Sequence, residues 1–207
     1  PAILKYTRDV YYIGNQEMAR VRKGEITFYN LDGDEIEKEL KTVEWDAEAA
    51  EKAGYEHFMI KEIHEQPKAV SDTLNSVVKD GAIDLSEVGL SEEEIKEISQ
   101  IYIVACGSAY HVGVAAQYVM EDLARIPVRV ELASEFRYRN PILDPKGLVI
   151  IISQSGETAD SLAALRESKK QGVKTLGIVN VIGSSIAREA DNVFYTLAGP
   201  EIAVATT

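Results

Sequence analysis

The chain has 207 residues, 45% of them hydrophobic and 27% charged, a balance that excludes a wholly disordered protein and is sized for one domain plus an appendage, or two small domains. Its 22 Lys and Arg against 34 Asp and Glu give a net charge of −12, so nucleic acid and anionic membrane surfaces are not expected partners. One cysteine, Cys106, excludes an internal disulfide framework and a cysteine-based metal cluster. No apolar run approaches the roughly 18–20 residues of a membrane helix, and the first residues lack a signal-peptide shape, so a cytoplasmic location is the expectation.

Residues 10–40 read as short strands separated by turns. Strand patterns at 10–13, 18–22 and 26–29 alternate with turn signals at Gly14-Asn15, Lys23-Gly24 and Asp32-Gly33. The reading is an antiparallel β meander over residues 1–45, too thin to be stable without a partner layer. Residues 46–56, charged and Ala-rich, read as a linker. Helical spacing over 58–65 is expected to break at Pro67, and a second helix over 68–78 to stop near Asp80-Gly81. Ser91, three residues before Glu94, is a capping-box signal for a helix over 91–98.

From residue 100 the pattern changes to strand–helix alternation. Strands are expected at 101–105, 128–132, 147–152, 174–179 and 193–197, and helices at 110–124, 158–171 and 184–190. Continuous apolar strands between helices indicate a parallel sheet covered on both faces. The fold class is therefore α/β: a three-layer αβα sandwich with a five-stranded parallel sheet, strand order 2-1-3-4-5, plus the N-terminal antiparallel piece. Ligands in such sheets bind beyond the carboxyl ends of the strands where the order reverses, which directs attention to the loops after strands one and three.

After strand one comes Cys106-Gly107-Ser108-Ala109-Tyr110-His111, a small-residue turn that opens a helix with its N–H groups toward the crevice. Its glycines lack both the dinucleotide and the P-loop spacing, which argues against a nucleotide-binding domain. A helix start packed through small residues accounts for this turn equally well. After strand three comes Ser153-Gln154-Ser155-Gly156-Glu157-Thr158-Ala159-Asp160-Ser161. A helix cap needs one hydroxyl and this stretch has four, while Gly156 lets successive N–H groups converge, so anion binding is the expectation. Two such loops on one crevice indicate a phosphorylated small molecule.

The other polar candidates carry less. Cys106 reads as a small buried thiol rather than a nucleophile, and His111 as a packing or surface group. His57 and His64 are about 10.5 Å apart along a helix, too far to share a metal. No acid stands near a Ser–His pair to orient it, which argues against Ser–His catalysis. Glu62, Glu65 and Glu157 are carboxylates of the kind that serve acid–base chemistry, though exposed helix carboxylates are the common case.

Cys-Gly-Ser-Ala-Tyr-His at 106–111 and Ser-Gln-Ser-Gly-Glu-Thr-Ala-Asp-Ser at 153–161 resemble the SIS (sugar isomerase) domain. Ala-Ser-Glu-Phe-Arg-Tyr-Arg at 133–139, Lys-Glu-Ile-His-Glu-Gln-Pro at 61–67 and Gly-Ser-Ser at 183–185 narrow the resemblance to the isomerizing glutamine–fructose-6-phosphate aminotransferases, from about residue 55 onward. The resemblance implies a flavodoxin-like SIS domain over 57–207 and, over 1–45, the last part of a glutaminase domain. It implies a chain cut from the middle of that enzyme, lacking the glutaminase nucleophile and the second SIS domain with its acid–base residues.

By resemblance, Gly107, Ser108, Ser153, Gln154, Ser155 and Thr158 hold the sugar phosphate, and Val204 and Ala205 line the sugar. The resemblance implies no catalytic residue in this stretch, no metal and no cofactor. The family usually has Ser where this chain has Ala109, which removes one hydrogen bond to a charged group, about 1.5–3 kcal/mol. The implied partners are fructose 6-phosphate or glucosamine 6-phosphate, the glutaminase and second SIS domains of the same polypeptide, and a second copy in a homodimer. The implied function is the phosphosugar-binding half of an enzyme of hexosamine synthesis, inactive alone. A stand-alone SIS-type phosphosugar sensor is the alternative, disfavoured by the strand-rich start and the absence of a basic DNA-binding segment.

Overall fold

The structure, a computed structural model, describes residues 6–43 and 51–204. Residues 46–50 of the expected linker, and Ala205 of the expected sugar lining, lie outside the described residues. The chain divides into two compact units, Pro1–Gly54 and Tyr55–Thr207.

In the first unit, β2 (Glu17–Arg22), β3 (Glu25–Asn30) and β4 (Glu35–Ile36) form an antiparallel sheet in that order. Lys23-Gly24 closes the first hairpin, with Arg22 opposite Glu25. The Asp32-Gly33 turn is held by Asn30, whose side chain accepts from the Asp34 N–H at 2.9 Å. The expected first strand over 10–13 is shorter and sits elsewhere: β1 (Asp9–Val10) pairs with β5 (Lys41–Thr42), outside the meander. Phe28, 4.9 Å from the Tyr11 ring, is the one buried large apolar side chain among the described residues of this unit. That is the thin core expected of strands without a second layer.

The second unit opens with α1 (Phe58–Val77), a single 20-residue helix that runs through Pro67. The expected break does not occur. Phe58, Lys61, Glu62 and Glu65 turn inward before Pro67 and Ala69, Asp72, Thr73 and Ser76 after it, one stripe at helical spacing, while Pro67 lies on the exposed side. Keeping that stripe intact outweighs the hydrogen bond that proline removes. The helix then passes into a small hairpin, β6 (Val78–Lys79) with β7 (Ala82–Ile83), turned by Asp80 and Gly81 at φ 52° and 78°. Asp-Gly here is a hairpin turn rather than a helix stop. A 3₁₀ turn over Ser86–Val88 leads to α2 (Glu92–Glu97), capped reciprocally by Ser91 and Glu94.

The remainder alternates: β8 (Gln100–Ala105), α3 (Gly107–Ala124), β9 (Val128–Leu132), α4 (Ala133–Tyr138), β10 (Gly147–Ser153), α5 (Ala159–Lys170), β11 (Lys174–Val179), α6 (Ser185–Glu189) and β12 (Asn192–Tyr195). The sheet is all parallel in the order β12-β11-β10-β8-β9, the expected 2-1-3-4-5. Alternation along the strands divides the core. Tyr102, Val104, Val149 and Ile151 pack with Phe136, Leu165 and Ile186 from α4, α5 and α6. Ile101, Ile103, Leu148 and Ile150 face the other way, with Met120 of α3. Gly113 lets α3 approach closely, since a Cβ there would stand 2.7 Å from Ile103 Cγ2 and 2.9 Å from Val130 Cγ1.

Candidate functional site

β8 and β10 are neighbours whose connections leave on opposite faces of the sheet, so their carboxyl ends frame a crevice. A cavity of about 370 Å3 lies there. Cys106, Ala109 and Val112 line it from the β8 side, and Ile152, Ser153, Gln154, Ser155 and Thr158 from β10 and its loop. Ile178 and Val179 of β11, with Thr196, Glu201 and Val204 from the segment after β12, complete the wall.

The loop after β10 is built by its own hydroxyls. Ser153 Oγ accepts from the Gly156 N–H at 3.1 Å and is 3.1 Å from Thr158 Oγ1. Ser155 Oγ accepts from the Glu157 N–H at 3.3 Å. Thr158 is the N-cap of α5, yet its side chain makes no cap hydrogen bond. The hydroxyls are therefore spent on shaping the turn rather than on ending a helix. Each hydroxyl carries one proton, so the Ser153–Thr158 pair uses one of its two, and Ser155 only accepts. The Gln154 amide and the Ser155 hydroxyl donate to nothing among the described residues. Uncharged donors thus remain at the cavity wall, beside the N-terminus of α5.

Gly156 has φ +64°, and its carbonyl accepts from the Ile186 N–H at 3.0 Å. Glu157 Oε1 accepts from the Ser185 N–H at 2.7 Å. Two bonds thus pin the loop to the start of α6, and Glu157 is a cap rather than an acid–base group.

The turn after β8 differs from the expectation. Cys106 and Ala109 line the cavity, whereas Gly107 and Ser108 between them do not. Gly107 sits at φ +56° with open space where a Cβ would stand, and Ser108 is exposed. Ala109 offers a methyl where the resemblance implies a hydroxyl. Cys106 packs against the core and lies 3.9 Å from Ser161 Oγ, the place of a structural thiol. His111 is exposed near the start of α3, beside the Tyr110 ring. His64 stacks on Tyr55, and His57 lies 3.6 Å from Glu56. Glu65 pairs with the buried Lys61 at 3.3 Å.

The segment after β12 carries what the sequence reading missed. Buried Asn180 donates to the Gly199 carbonyl at 2.6 Å, and its Oδ1 accepts from the Ala198 N–H at 3.0 Å. Glu62 Oε1 of α1 accepts from the N–H groups of Ile202 at 2.8 Å and Ala203 at 3.0 Å. Between these anchors Glu201 faces the cavity. Burial, and then the charge of Glu62, push its carboxyl above the ordinary glutamate range. No local motif announces Glu201, because its place depends on a contact spanning 140 residues.

The profile of the SIS domain matches residues 94–207, more than half of the chain, including every residue that lines the cavity. The chain belongs to the SIS domain family. Over its full length this SIS chain is 57% identical to a glutamine–fructose-6-phosphate aminotransferase [isomerizing] of Caldanaerobacter subterraneus subsp. tengcongensis. It is 49% identical to an enzyme of the same name from Methanosarcina mazei. In both cases it spans 34% of the relative, about a third of its length. Among solved structures, the C-terminal domain of glucosamine-fructose-6-phosphate aminotransferase from Francisella tularensis matches with a TM-score of 0.72 and 48% identity, covering 76% of this chain and 44% of that one. The sugar isomerase domain of an RpiR transcription factor from Sphaerobacter thermophilus shares the fold alone, at 23% identity and a TM-score of 0.52, over 66% of this chain and 73% of that one. Among the described residues no helix is long and apolar enough to cross a membrane.

Proposed function

We propose that this chain is the phosphosugar-binding portion of an isomerizing glutamine–fructose-6-phosphate aminotransferase, a transferase that makes glucosamine 6-phosphate and glutamate from fructose 6-phosphate and glutamine. The observation that carries the reading is the cavity at the strand-order reversal, where a hydroxyl-built loop supplies uncharged donors. The high identity to enzymes of that name supports the choice of sugar. Ser153, Gln154, Ser155 and Thr158 are the proposed phosphate cradle, with Gly107 and Ser108, neighbours of the lining residues Cys106 and Ala109, proposed as its opposite side. Val204 and Ala205 are the proposed sugar lining.

Residues 1–45 are proposed as the end of a glutaminase domain, 46–56 as the linker and 57–207 as the first SIS domain. Partners would then be the remaining domains of the enzyme and a second copy. On α3, Val112, Tyr118, Val119 and Leu123 are 57%, 70%, 58% and 79% exposed, an apolar surface suited to such packing. The cytoplasm is the proposed location.

Isothermal titration tests the reading. Fructose 6-phosphate and glucosamine 6-phosphate should bind more tightly than inorganic phosphate, and NAD should not bind. Sugar phosphates no tighter than phosphate would contradict it. The chain alone should form no glucosamine 6-phosphate from fructose 6-phosphate and ammonia or glutamine.

A further inference from the structure

We infer that Glu201 is a specificity-determining residue of this cavity: its carboxylate accepts hydrogen bonds from hydroxyl or ammonium groups at the non-phosphate end of the ligand and rejects a second phosphate there. The inference rests on the phosphosugar reading and adds to it the orientation of the ligand.

Among the described residues that line the cavity, Glu201 is the one acidic or basic side chain. A carboxylate repels a phosphate at short range in a partly desolvated site. A phosphorylated ligand therefore has one favourable direction, with its phosphate on the Ser153–Thr158 loop and its uncharged or cationic end toward Glu201. Hydroxyl and ammonium groups are donors that a carboxylate binds strongly. An aminosugar phosphate matches both ends of such a cavity, while a bisphosphate matches only one.

The carboxylate is also held in place. Asn180 fixes the Gly199 carbonyl before it, and Glu62 takes the Ile202 and Ala203 N–H groups after it. Pro200, immediately before Glu201, restricts the backbone further. No hydrogen bond consumes the Glu201 carboxyl among the described residues, although burial and Glu62 both disfavour its charge. A donor on the ligand would relieve that cost, which is the arrangement of a recognition group rather than of a structural one.

The test is calorimetric titration of the full chain and of Glu201→Gln with glucosamine 6-phosphate, fructose 6-phosphate, fructose 1,6-bisphosphate and inorganic phosphate. The wild-type chain should prefer glucosamine 6-phosphate to the bisphosphate. Glu201→Gln should bind glucosamine 6-phosphate about tenfold more weakly, inorganic phosphate unchanged within about twofold, and the bisphosphate more tightly than wild type does. Glu201→Ala, which also removes the charge, should likewise bind the bisphosphate more tightly than wild type does; this variant decides the matter if the glutamine variant does not fold. Unchanged preferences in Glu201→Gln, or an equal loss for phosphate and sugar phosphate, would overturn the inference. A wild-type chain that binds sugar phosphates no better than phosphate would instead overturn the reading beneath it.

Discussion

A Cβ placed on Gly156 would stand 2.0 Å from Ser184 Oγ and 2.5 Å from Ser184 Cβ. The hydroxyl loop thus rests directly on the residue that starts α6, and only glycine fits. Ser184 Oγ is buried and has no hydrogen-bond partner among the described residues, so steric contact rather than bonding sets this approach.

Gly156→Ala should therefore destabilise the chain by roughly 2 kcal/mol or more, from overpacking and from the positive φ. Phosphate affinity should fall with it. Adding Ser184→Gly removes both clashing atoms and should recover part of the loss, as read by thermal melts of the single and double variants. Equal melting temperatures for Gly156→Ala and wild type would contradict the close approach.

Ser153 and Ser155 should separate in their effects. Ser153 is 3% exposed and holds both Gly156 and Thr158, so Ser153→Ala should lower stability by about 1–3 kcal/mol as well as phosphate binding. Ser155 is exposed and accepts one long bond, so Ser155→Ala should weaken ligand binding and leave the melting temperature nearly unchanged. Melting and titration of both variants distinguish a shaping hydroxyl from a donating one.

Pro67 lies inside a continuous helix. Replacing it with alanine restores a backbone donor and removes a ring clash, and the gain should approach the roughly 3 kcal/mol by which the two residues differ in a helix interior. Urea unfolding of Pro67→Ala should show a higher midpoint. A lower one would mean that the helix ends at Pro67.

Glu94 predicts an acid-side effect. The Lys174 ammonium, then the Ser91 N–H and hydroxyl, hold its carboxyl down to about 2 from an ordinary 4.5. A depressed carboxylate contributes stability that is complete above the unfolded value and lost as pH falls toward the folded one. The advantage of wild type over Glu94→Gln should be constant above about pH 5 and should shrink steadily toward pH 2. Urea midpoints at several pH values check this, and a difference independent of pH would contradict it.

The strands and their order were legible because β8 and β10 are buried almost throughout and every strand but the last is followed by a helix. Short elements without a capping signal or a helical pattern were not. The two-residue strands of the β6–β7 hairpin carry no period, and α4, with six residues, shows no repeat from which to read a helix. The loop at 153–158 was legible because its hydroxyls outnumber what a cap needs. Gly107 and Ser108 were expected in the cavity wall, yet Ala109 and Cys106 line it, since the turn of α3 decides which side chains face inward. Glu201 was not legible, because Glu62 and Asn180, which anchor the residues on either side of it, lie on α1 and just after β11, distant in sequence and adjacent only after folding.

The central claim is that the cavity between the β8 and β10 loops receives a phosphosugar. Amide chemical shifts of the 207-residue chain, followed by NMR during titration with glucosamine 6-phosphate, test it most directly. The account predicts saturable shifts at residues 153–158, 106–109 and 201–204, with inorganic phosphate reproducing those at 153–158 and 106–109 but not those at 201–204. Shifts confined to other surfaces, or none at 153–158 with either ligand, would contradict it.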